Sequence, residues 1–244
     1  MLEELKKTSA WDGVFVGLGL VIAAMVLGTA YMWNGAQATK ALEVTGSATE
    51  SVKADSATLH SSFARIVTLD ELKAGYANMK NDESLVMKYF ATQGVKPEEL
   101  TIAPVSMNQY YENNNQGGPT KYNLQQDVTL QTTDLVKADK IAKSFQDLIN
   151  QGVIFSTQPV EYYYSKLPEL KVKLLGDAMK DAKTRAQKLA ESADQGVGEL
   201  RSAASGVVQV LAPNSTDVSD YGTYDTRTVG KQVMVTVRTK WGVK

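Results

Sequence analysis

The sequence contains no cysteine and a single histidine, His60, among its 244 residues. Disulfide frameworks, thiol nucleophiles and iron–sulfur clusters are therefore excluded, and a zinc site has too few Cys and His ligands. The 26 Lys and Arg residues are balanced by 27 Asp and Glu residues, so the basic excess that is typical of nucleic-acid-binding proteins is missing. With 43% hydrophobic and 22% charged residues, the remaining composition is that of a globular protein.

A long uncharged segment lies near the N-terminus. The twenty residues Gly13–Met32 carry no charge, and a helix of this length spans about 30 Å, the thickness of the hydrocarbon core of a bilayer. Trp11 precedes the segment, and Tyr31 and Trp33 close it, as is typical of aromatic residues at the two membrane surfaces. Because the segment is apolar on every face, a buried helix of a soluble protein is disfavoured. We therefore predict a transmembrane helix over 13–33.

The charges around this segment predict its orientation. Lys6 and Lys7 precede it, whereas only Lys40 follows soon after, so the positive-inside rule places the N-terminus in the cytoplasm. We expect a single-pass protein of the inner or plasma membrane, with the lipid bilayer as a partner and a periplasmic or extracellular domain. The predicted parts are a cytoplasmic tail, the transmembrane helix, a linker and an ectodomain, over 1–12, 13–33, 34–41 and 42–244.

A cleaved signal peptide is the alternative to a retained anchor. Ala36-Gln37-Ala38 has the small-residue pattern of a cleavage site, but the apolar run is longer than the roughly 7–15 residues of a usual signal-peptide core. We favour the anchor.

Small residues four positions apart also let transmembrane helices approach closely. The predicted anchor residues are Trp11, Gly13, Gly17, Ala24, Gly28, Tyr31 and Trp33.

Three amphipathic helices are predicted in the ectodomain. Thr68-Leu69-Asp70-Glu71 fits a capping box for the first helix. Asp134 can cap the second, whose apolar stripe covers 135–148, and Pro168 can sit in the first turn of the third. Gly94 and Gly152 are suited to end the first two helices.

Alternation of apolar and polar residues predicts the strands. They are predicted over 42–50, 52–67, 102–109, 122–130, 153–164, 199–211 and 231–241. With the helices, the element order is β-β-α-β-β-α-β-α-β-β. This order predicts an α+β fold in one domain, with an antiparallel or mixed sheet covered by about three helices.

Several stretches of the ectodomain resemble the SIMPL-domain proteins of bacterial envelopes. The stretches that carry the resemblance are Val44-Thr45-Gly46-Ser47-Ala48, Asp55, Tyr122-Asn123-Leu124, the alanine-rich residues 177–190 and Gly198-Glu199-Leu200. Several members of that family are linked to stress tolerance, and some assemble into large hollow homo-oligomers. The resemblance implies an extracytoplasmic, oligomeric and non-enzymatic protein, from which the retained anchor would be a departure.

Two groups of residues are candidates for chemistry. His60 stands beside Ser61 and Ser62, but general-base catalysis also needs a partner carboxylate and a pocket, so we expect an exposed or hydrogen-bonded strand residue. An acidic loop offers oxygen ligands of the kind that calcium prefers, yet its spacing does not match an EF-hand. We favour a solvated loop there, and predict no catalytic, cofactor or metal residues. The acidic residues of this loop are Asp217, Asp220 and Asp225.

Two sets of residues are candidate contacts between subunits. The stripe Ala178, Ala182 and Ala186 lets the third helix lie close to a neighbour, which is either a sheet of the same subunit or a helix of another. Tyr162 and Tyr164 share one strand face, and tyrosine is enriched both in strands and at interfaces.

These observations predict a membrane-anchored, extracytoplasmic protein that self-assembles into a homo-oligomeric ring or cage, with a structural or stress-related role in the envelope. The alternative is a binding module for a small molecule, a peptide or another envelope protein. An enzyme using His60 or a pair of carboxylates is the third hypothesis and the least favoured, because no motif with a mechanism supports it.

Overall fold

A computed structural model describes residues 13–30, 41–111 and 119–244. The predicted tail and most of the predicted linker lie outside the described residues, as do Trp11, Tyr31, Trp33 and the Ala36-Gln37-Ala38 pattern. The described part of the chain forms two compact units. The first contains residues up to Ser47 with Leu175–Gly206 and Thr236–Lys244, and the second contains Ala48–Leu174 and Val207–Val235.

The predicted α+β class is confirmed, and the named strand pairs are antiparallel. The helices are α1 (Gly13–Ala30), α2 (Leu72–Thr92), α3 (Leu135–Lys143), α4 (Gln146–Asn150) and α5 (Leu167–Glu191). The strands are β1 (Ala41–Lys53), β2 (Ser56–Thr68), β3 (Leu100–Ile102), β4 (Ser106–Tyr110), β5 (Lys121–Thr132), β6 (Ile154–Thr157), β7 (Glu161–Tyr163), β8 (Val197–Ser205), β9 (Gln209–Leu211) and β10 (Gly230–Val243).

The second unit is built on a sheet in the order β3-β5-β2-β6, with β4 also paired to β5 and β7 to β2. The long central pair runs in register from Ala57 opposite Thr132 to Thr68 opposite Lys121. Inward-facing side chains of β2 and β5 pack against α2 and α3, because alternate residues of both strands are apolar, and α4 packs against β6. The largest buried side chains of this core include Leu59, Phe63, Met79, Phe90, Leu124, Leu130, Ile141 and Leu148.

A charged pair with a buried carboxylate borders this core. Arg65 on β2 donates from Nε and Nη2 to the two carboxylate oxygens of Asp82 on α2, at 2.5 and 2.7 Å. Asp82 is buried, and the hydrogen bond to it raises the pKa of Arg65 against the effect of burial. The pair ties α2 to the sheet.

The first unit contains the β8–β10 pair and the C-terminal part of α5. Val237 to Lys240 of β10 lie opposite Ser205 to Ser202 of β8 in regular register, and two irregularities follow between Lys240 and Val243. β1 hydrogen-bonds to the other side of β10. Val44, Ala186 and Trp241 form the small core of this unit.

The local signals at helix ends are largely confirmed. The Asp134 carboxylate accepts from the Lys137 N–H at 2.9 Å, and Gly94 and Gly152 have φ values of +74° and +84° after their helices. At the predicted capping box, Glu71 accepts from both the N–H and the hydroxyl of Thr68. The Thr68 hydroxyl therefore donates to Glu71 instead of accepting from the backbone, and α2 begins at Leu72.

Four predicted elements are interrupted. The helix predicted over 135–148 is α3 followed by α4, and the strand predicted over 199–211 is β8 followed by β9. The strands predicted over 102–109 and 153–164 are likewise each two short strands, and Pro104 and Pro159 stand in the two breaks. Proline has no N–H to donate to a strand ladder, so each break has a local cause.

Candidate functional site

The helix α1 is exposed along its whole described length. Its apolar side chains, such as Phe15, Leu20 and Leu27, are between 66 and 70% exposed, and the mean hydropathy of Gly13–Ala30 is 2.2 with no buried residue. It is the one helix of the described residues that is long and apolar enough to cross a membrane. Apolar surface of this extent is unstable in water, so the helix is compatible with a membrane anchor or a signal sequence. Gly13, Gly17, Ala24 and Gly28 lie on it.

The alanine stripe of α5 packs within the chain. Ala178, Ala182 and Ala186 are fully buried. A Cβ atom added to Gly46 of β1 would lie 2.2 Å from the Ala178 carbonyl oxygen and 2.4 Å from the Ala182 nitrogen. The Ser47 N–H also donates to the Asp181 carboxylate at 2.8 Å. Of the two alternatives for the stripe, the structure describes the packing of helix on strand inside one subunit.

The two candidate tyrosines make contacts inside the second unit. The Tyr162 hydroxyl donates to Asp139 at 2.6 Å, and burial together with this bond raises the pKa of Tyr162 to about 12. The Tyr164 N–H donates to the Tyr224 hydroxyl at 3.0 Å. Tyr162 is buried and Tyr164 is half-buried. Their use between subunits stays a prediction.

The strand β8 is exposed on both faces. Every residue from Glu199 to Ser205 is exposed, and within the described residues β8 pairs with β10 alone. The segment Ser202–Ser205 (Ser-Ala-Ala-Ser) pairs regularly with β10, carries no charge and contains no proline. An edge strand of this kind presents a row of backbone N–H and C=O groups to another strand, because charges, prolines and bulges are what usually block such pairing.

A polar pocket of about 550 Å³ lies on the sheet of the second unit. Its position follows from strand alternation, since Leu59, Ser61 and Phe63 are buried on the core side and His60 and Ser62 point to the opposite face. The lining residues come from β2, β5, β6 and β7 and their ends: His60, Ser61, Ser62, Gln125, Asp127, Thr129, Ser156, Gln158 and Glu161. Sequence reasoning singled out only His60 and its two serine neighbours.

Hydrogen bonds position the polar groups of this pocket. His60 Nδ1 lies 3.2 Å from the Thr129 hydroxyl oxygen, and His60 Nε2 lies 3.8 Å from a Glu161 carboxylate oxygen. Two further hydrogen-bonded pairs lie beside them, the first between β2 and β6 and the second along β5. These pairs are the Ser62 and Ser156 hydroxyls at 3.0 Å, and the Gln125 amide donating to Asp127 at 2.9 Å.

An aromatic pair borders the pocket at Glu161. The Tyr163 hydroxyl donates to Glu161 at 2.7 Å, and this bond, with burial, raises the pKa of Tyr163 to about 12. The rings of Tyr163 and Tyr224 are tilted against each other at 5.6 Å. Glu161 and Tyr163 lie opposite Thr58 and Ser56 on β2, so alternation places the Tyr163 side chain on the same sheet face as His60.

In the acidic loop, Asp225 accepts hydrogen bonds from residues that directly follow it. The Asp225 carboxylate accepts from the N–H groups of Arg227 and Thr228 at 3.2 and 3.1 Å. Burial acts to raise the pKa of Asp225, but these bonds and the nearby Lys231 ammonium together lower it. Lys231, which is buried, donates to the Thr228 carbonyl at 2.9 Å. Among the described residues, no group of three or more His, Asp or Glu side chains could hold a metal ion.

The protein is thus an α+β protein with antiparallel sheets in two units, preceded by an apolar helix that is long enough to cross a membrane. The family model of SIMPL, described as a protein of unknown function (DUF541), matches residues 42–241. The chain therefore belongs to the SIMPL family, as the resemblance predicted. No curated protein matches the chain.

Proposed function

We propose that this protein is a membrane-anchored, extracytoplasmic member of the SIMPL family that self-associates into a homo-oligomer with a structural or stress-related role in the envelope. The exposed edge and faces of β8 carry the proposal. The apolar, fully exposed α1 supports the anchor, and Lys6 and Lys7 ahead of it support a cytoplasmic N-terminus.

A second copy of the chain is the partner that fits β8. The segment Ser202–Ser205 (Ser-Ala-Ala-Ser) contains only small, uncharged side chains, so two copies related by a two-fold axis at Ala203 can pair antiparallel, with Ala203 opposite its own copy and Ser202 opposite Ala204. Such a contact is isologous and closes as a dimer. Larger rings or cages use a second contact between these dimers. Small side chains also let another strand or sheet approach closely on both faces.

Self-association through β8 is tested on the full chain in detergent by sedimentation velocity. The double variant Ala203→Lys with Ala204→Lys brings four lysines together in the two-fold pairing, so we expect it to sediment as a smaller species than the wild type. Val136→Lys, on the 79%-exposed Val136 of α3, is the control and keeps the wild-type assembly. A monomeric wild type, or an unchanged double variant, overturns the proposal.

A disulfide provides a measurement that does not depend on disrupting the strand. Because the chain has no cysteine, Ala203→Cys introduces the only thiol. We expect mild oxidation to produce a covalent dimer, whereas Val136→Cys stays monomeric on a denaturing gel. Equal cross-linking of both variants would show random collision and contradict pairing at β8.

We infer a non-enzymatic role, and the geometry of the pocket supports it. The His60 ring nitrogens face Thr129 and Glu161, whereas the Ser62 hydroxyl bonds to Ser156. Ser-His chemistry needs a serine hydroxyl paired with a histidine ring nitrogen, and these contacts of His60 and Ser62 do not form that pair.

The polar pocket favours a second function, a binding module for a small molecule. All its lining residues belong to the second unit and β8 belongs to the first, so the two functions rest on different residues. The volume of the pocket lies within the roughly 300–1,000 Å³ of ligand sites and its polar side chains converge, although its lining is polar where most ligand sites are mainly apolar.

A further inference from the structure

We propose that the polar pocket binds a neutral, polyhydroxylated ligand, a sugar unit of a glycan. The inference rests on the second proposed function, binding, and is independent of self-association. It is drawn from the charge of the lining residues, from their hydrogen-bonding capacity and from the spacing that the sheet imposes on them.

The charge of the lining excludes anionic ligands. Asp127 and Glu161 are carboxylates, and no lysine or arginine is among the lining residues. Phosphates, nucleotides and acidic peptides require cationic groups or helix N-termini that neutralise their charge. A neutral or cationic ligand is therefore favoured.

The hydrogen-bonding groups of the pocket match hydroxyls better than amines. A hydroxyl donates and accepts, and a side-chain amide does both, so Thr129, Ser62 and Gln158 suit a ligand whose groups also do both. An ammonium group can only donate and would leave the amide N–H groups without an acceptor. Carboxylates accept from sugar hydroxyls as well, and one Asp127 oxygen is already positioned by the Gln125 amide.

The spacing of the two carboxylates favours a ligand of more than one ring. Asp127 lies opposite Ser62 on one side of β2, and Glu161 lies opposite Thr58 on the other side. Four residues along a strand and two interstrand spacings across it place the backbone positions about 16 Å apart. This separation suits an elongated molecule lying diagonally across the sheet.

The aromatic pair completes the match. At the Glu161 end, the Tyr163 ring is held by its hydroxyl bond to Glu161 and by its contact with Tyr224. A sugar ring has apolar C–H faces besides its polar rim, and an aromatic ring bordering a polar groove gives such a face a surface to contact. Because strands carry nearly all these groups, the site is preorganised and costs little ordering on binding.

The test uses the full chain in phosphatidylcholine nanodiscs, since glycoside detergents would compete for the site. Cellobiose, chitotetraose, spermidine and inorganic phosphate are titrated separately by calorimetry. We expect at least one of the two neutral saccharides to bind and phosphate not to bind. Binding of spermidine alone, or of none of the four, overturns the inference.

Two variants and a control locate the site. Asp127→Asn and Ser62→Ala are each expected to weaken saccharide binding about tenfold or more, which corresponds to the loss of one or two hydrogen bonds to a charged or hydroxyl group. Asn108→Ala, on the exposed strand β4 outside the lining, is expected to leave affinity unchanged. Unchanged affinity in both pocket variants contradicts the assignment.

Sedimentation of the same variants separates the two proposals. We expect Asp127→Asn and Ser62→Ala to keep the wild-type assembly, and the β8 double-lysine variant to keep saccharide binding. If the pocket variants dissociate the oligomer instead, the pocket is a subunit contact and the saccharide inference is wrong. If the β8 variants show no effect on self-association and the saccharide still binds, the assembly proposal is wrong and the saccharide inference is retained.

Discussion

Glu99 is a carboxylate held by three partners in the second unit. It accepts from the Lys96 N–H at 2.9 Å, from the Thr132 hydroxyl at 2.5 Å and from the Lys137 ammonium at 2.9 Å. Burial by itself would raise the pKa of Glu99, but the three hydrogen bonds and the attraction of Lys137 lower it to about 2. The residue thus joins the turn before β3, the end of β5 and the start of α3.

The pH dependence of stability is expected to report on Glu99. A depressed pKa in the folded state stabilises the protein above the unfolded pKa of about 4.5, and this contribution is lost as the pH falls from there to about 2. Glu99→Gln should therefore lower the free energy of unfolding at pH 7 by on the order of 2 kcal/mol. It should also flatten the dependence of the thermal midpoint on pH between 5 and 2.

Glu98→Gln is the matched control, since the exposed Glu98 lies next to Glu99 in the same turn. Circular dichroism melts of the three proteins at several pH values provide the comparison. Equal pH profiles for wild type and Glu99→Gln would show that the carboxylate contributes no net stability.

Residues with local roles could be predicted from sequence, whereas the pocket could not. The Asp134 cap and the positive φ of Gly94 depend on neighbours within a few positions, so residue type alone indicates them. The partners of His60 are 69 and 101 positions away, at Thr129 and Glu161. Which residue lies opposite another across strands depends on the register of the whole sheet, and a single sequence leaves that register open.

At the scale of elements, α5 packs closely against β1 in the first unit. Gly46 and the stripe of buried alanines remove the side-chain volume that would otherwise hold the helix away from the strand. The sequence indicated a close approach of this helix to a neighbour, but its choice between a sheet and a second subunit required the structure. The physical reason is that alanine suits both kinds of contact equally.

Gly46→Ala is expected to destabilise the protein by about 1–3 kcal/mol or more, because the new methyl group would overlap the backbone of α5. Gly176→Ala, on α5 itself, is expected to change the free energy of unfolding in the opposite direction. Nothing lies within 4 Å of a Cβ added at Gly176, and alanine in a helix interior is more stable than glycine by about 0.5–1 kcal/mol. Urea unfolding followed by circular dichroism measures both, and a harmless Gly46→Ala would contradict the described packing.

The interruptions within predicted elements have specific causes. Between α3 and α4, the Ser144 hydroxyl pairs with the Tyr89 hydroxyl at 3.0 Å, and the Ser144 backbone leaves the helical region at φ −120° and ψ 20°. After β8, a Cβ atom on Gly206 would lie 2.2 Å from the Thr236 hydroxyl oxygen. Periodicity detects the apolar face that runs through such breaks, but the break itself depends on a distant partner.

At the scale of the whole molecule, the chain is expected to cross the membrane once, with the body outside. The absence of cysteine makes this testable, since Tyr221→Cys on the 97%-exposed Tyr221 and Thr8→Cys each add a single thiol. In intact spheroplasts, a membrane-impermeant maleimide should label Tyr221→Cys at once and Thr8→Cys only after permeabilisation. Wild type is the unlabelled control. The reverse labelling pattern contradicts the predicted orientation. A labelled fragment that is released from the membrane and lacks residue 8 would show cleavage and contradict the retained anchor.

The position of β10 in the sheet has a consequence for how the protein is made. β10 lies between β1 and β8, yet it follows both in the chain. During synthesis, β1 and β8 both emerge before the strand that joins them, and their backbone groups stay open to other nascent chains until it follows. Folding of this sheet is therefore delayed until residues 230–243 have been synthesised, and a stop codon shortly before them would leave two aggregation-prone strands without the strand that pairs with both.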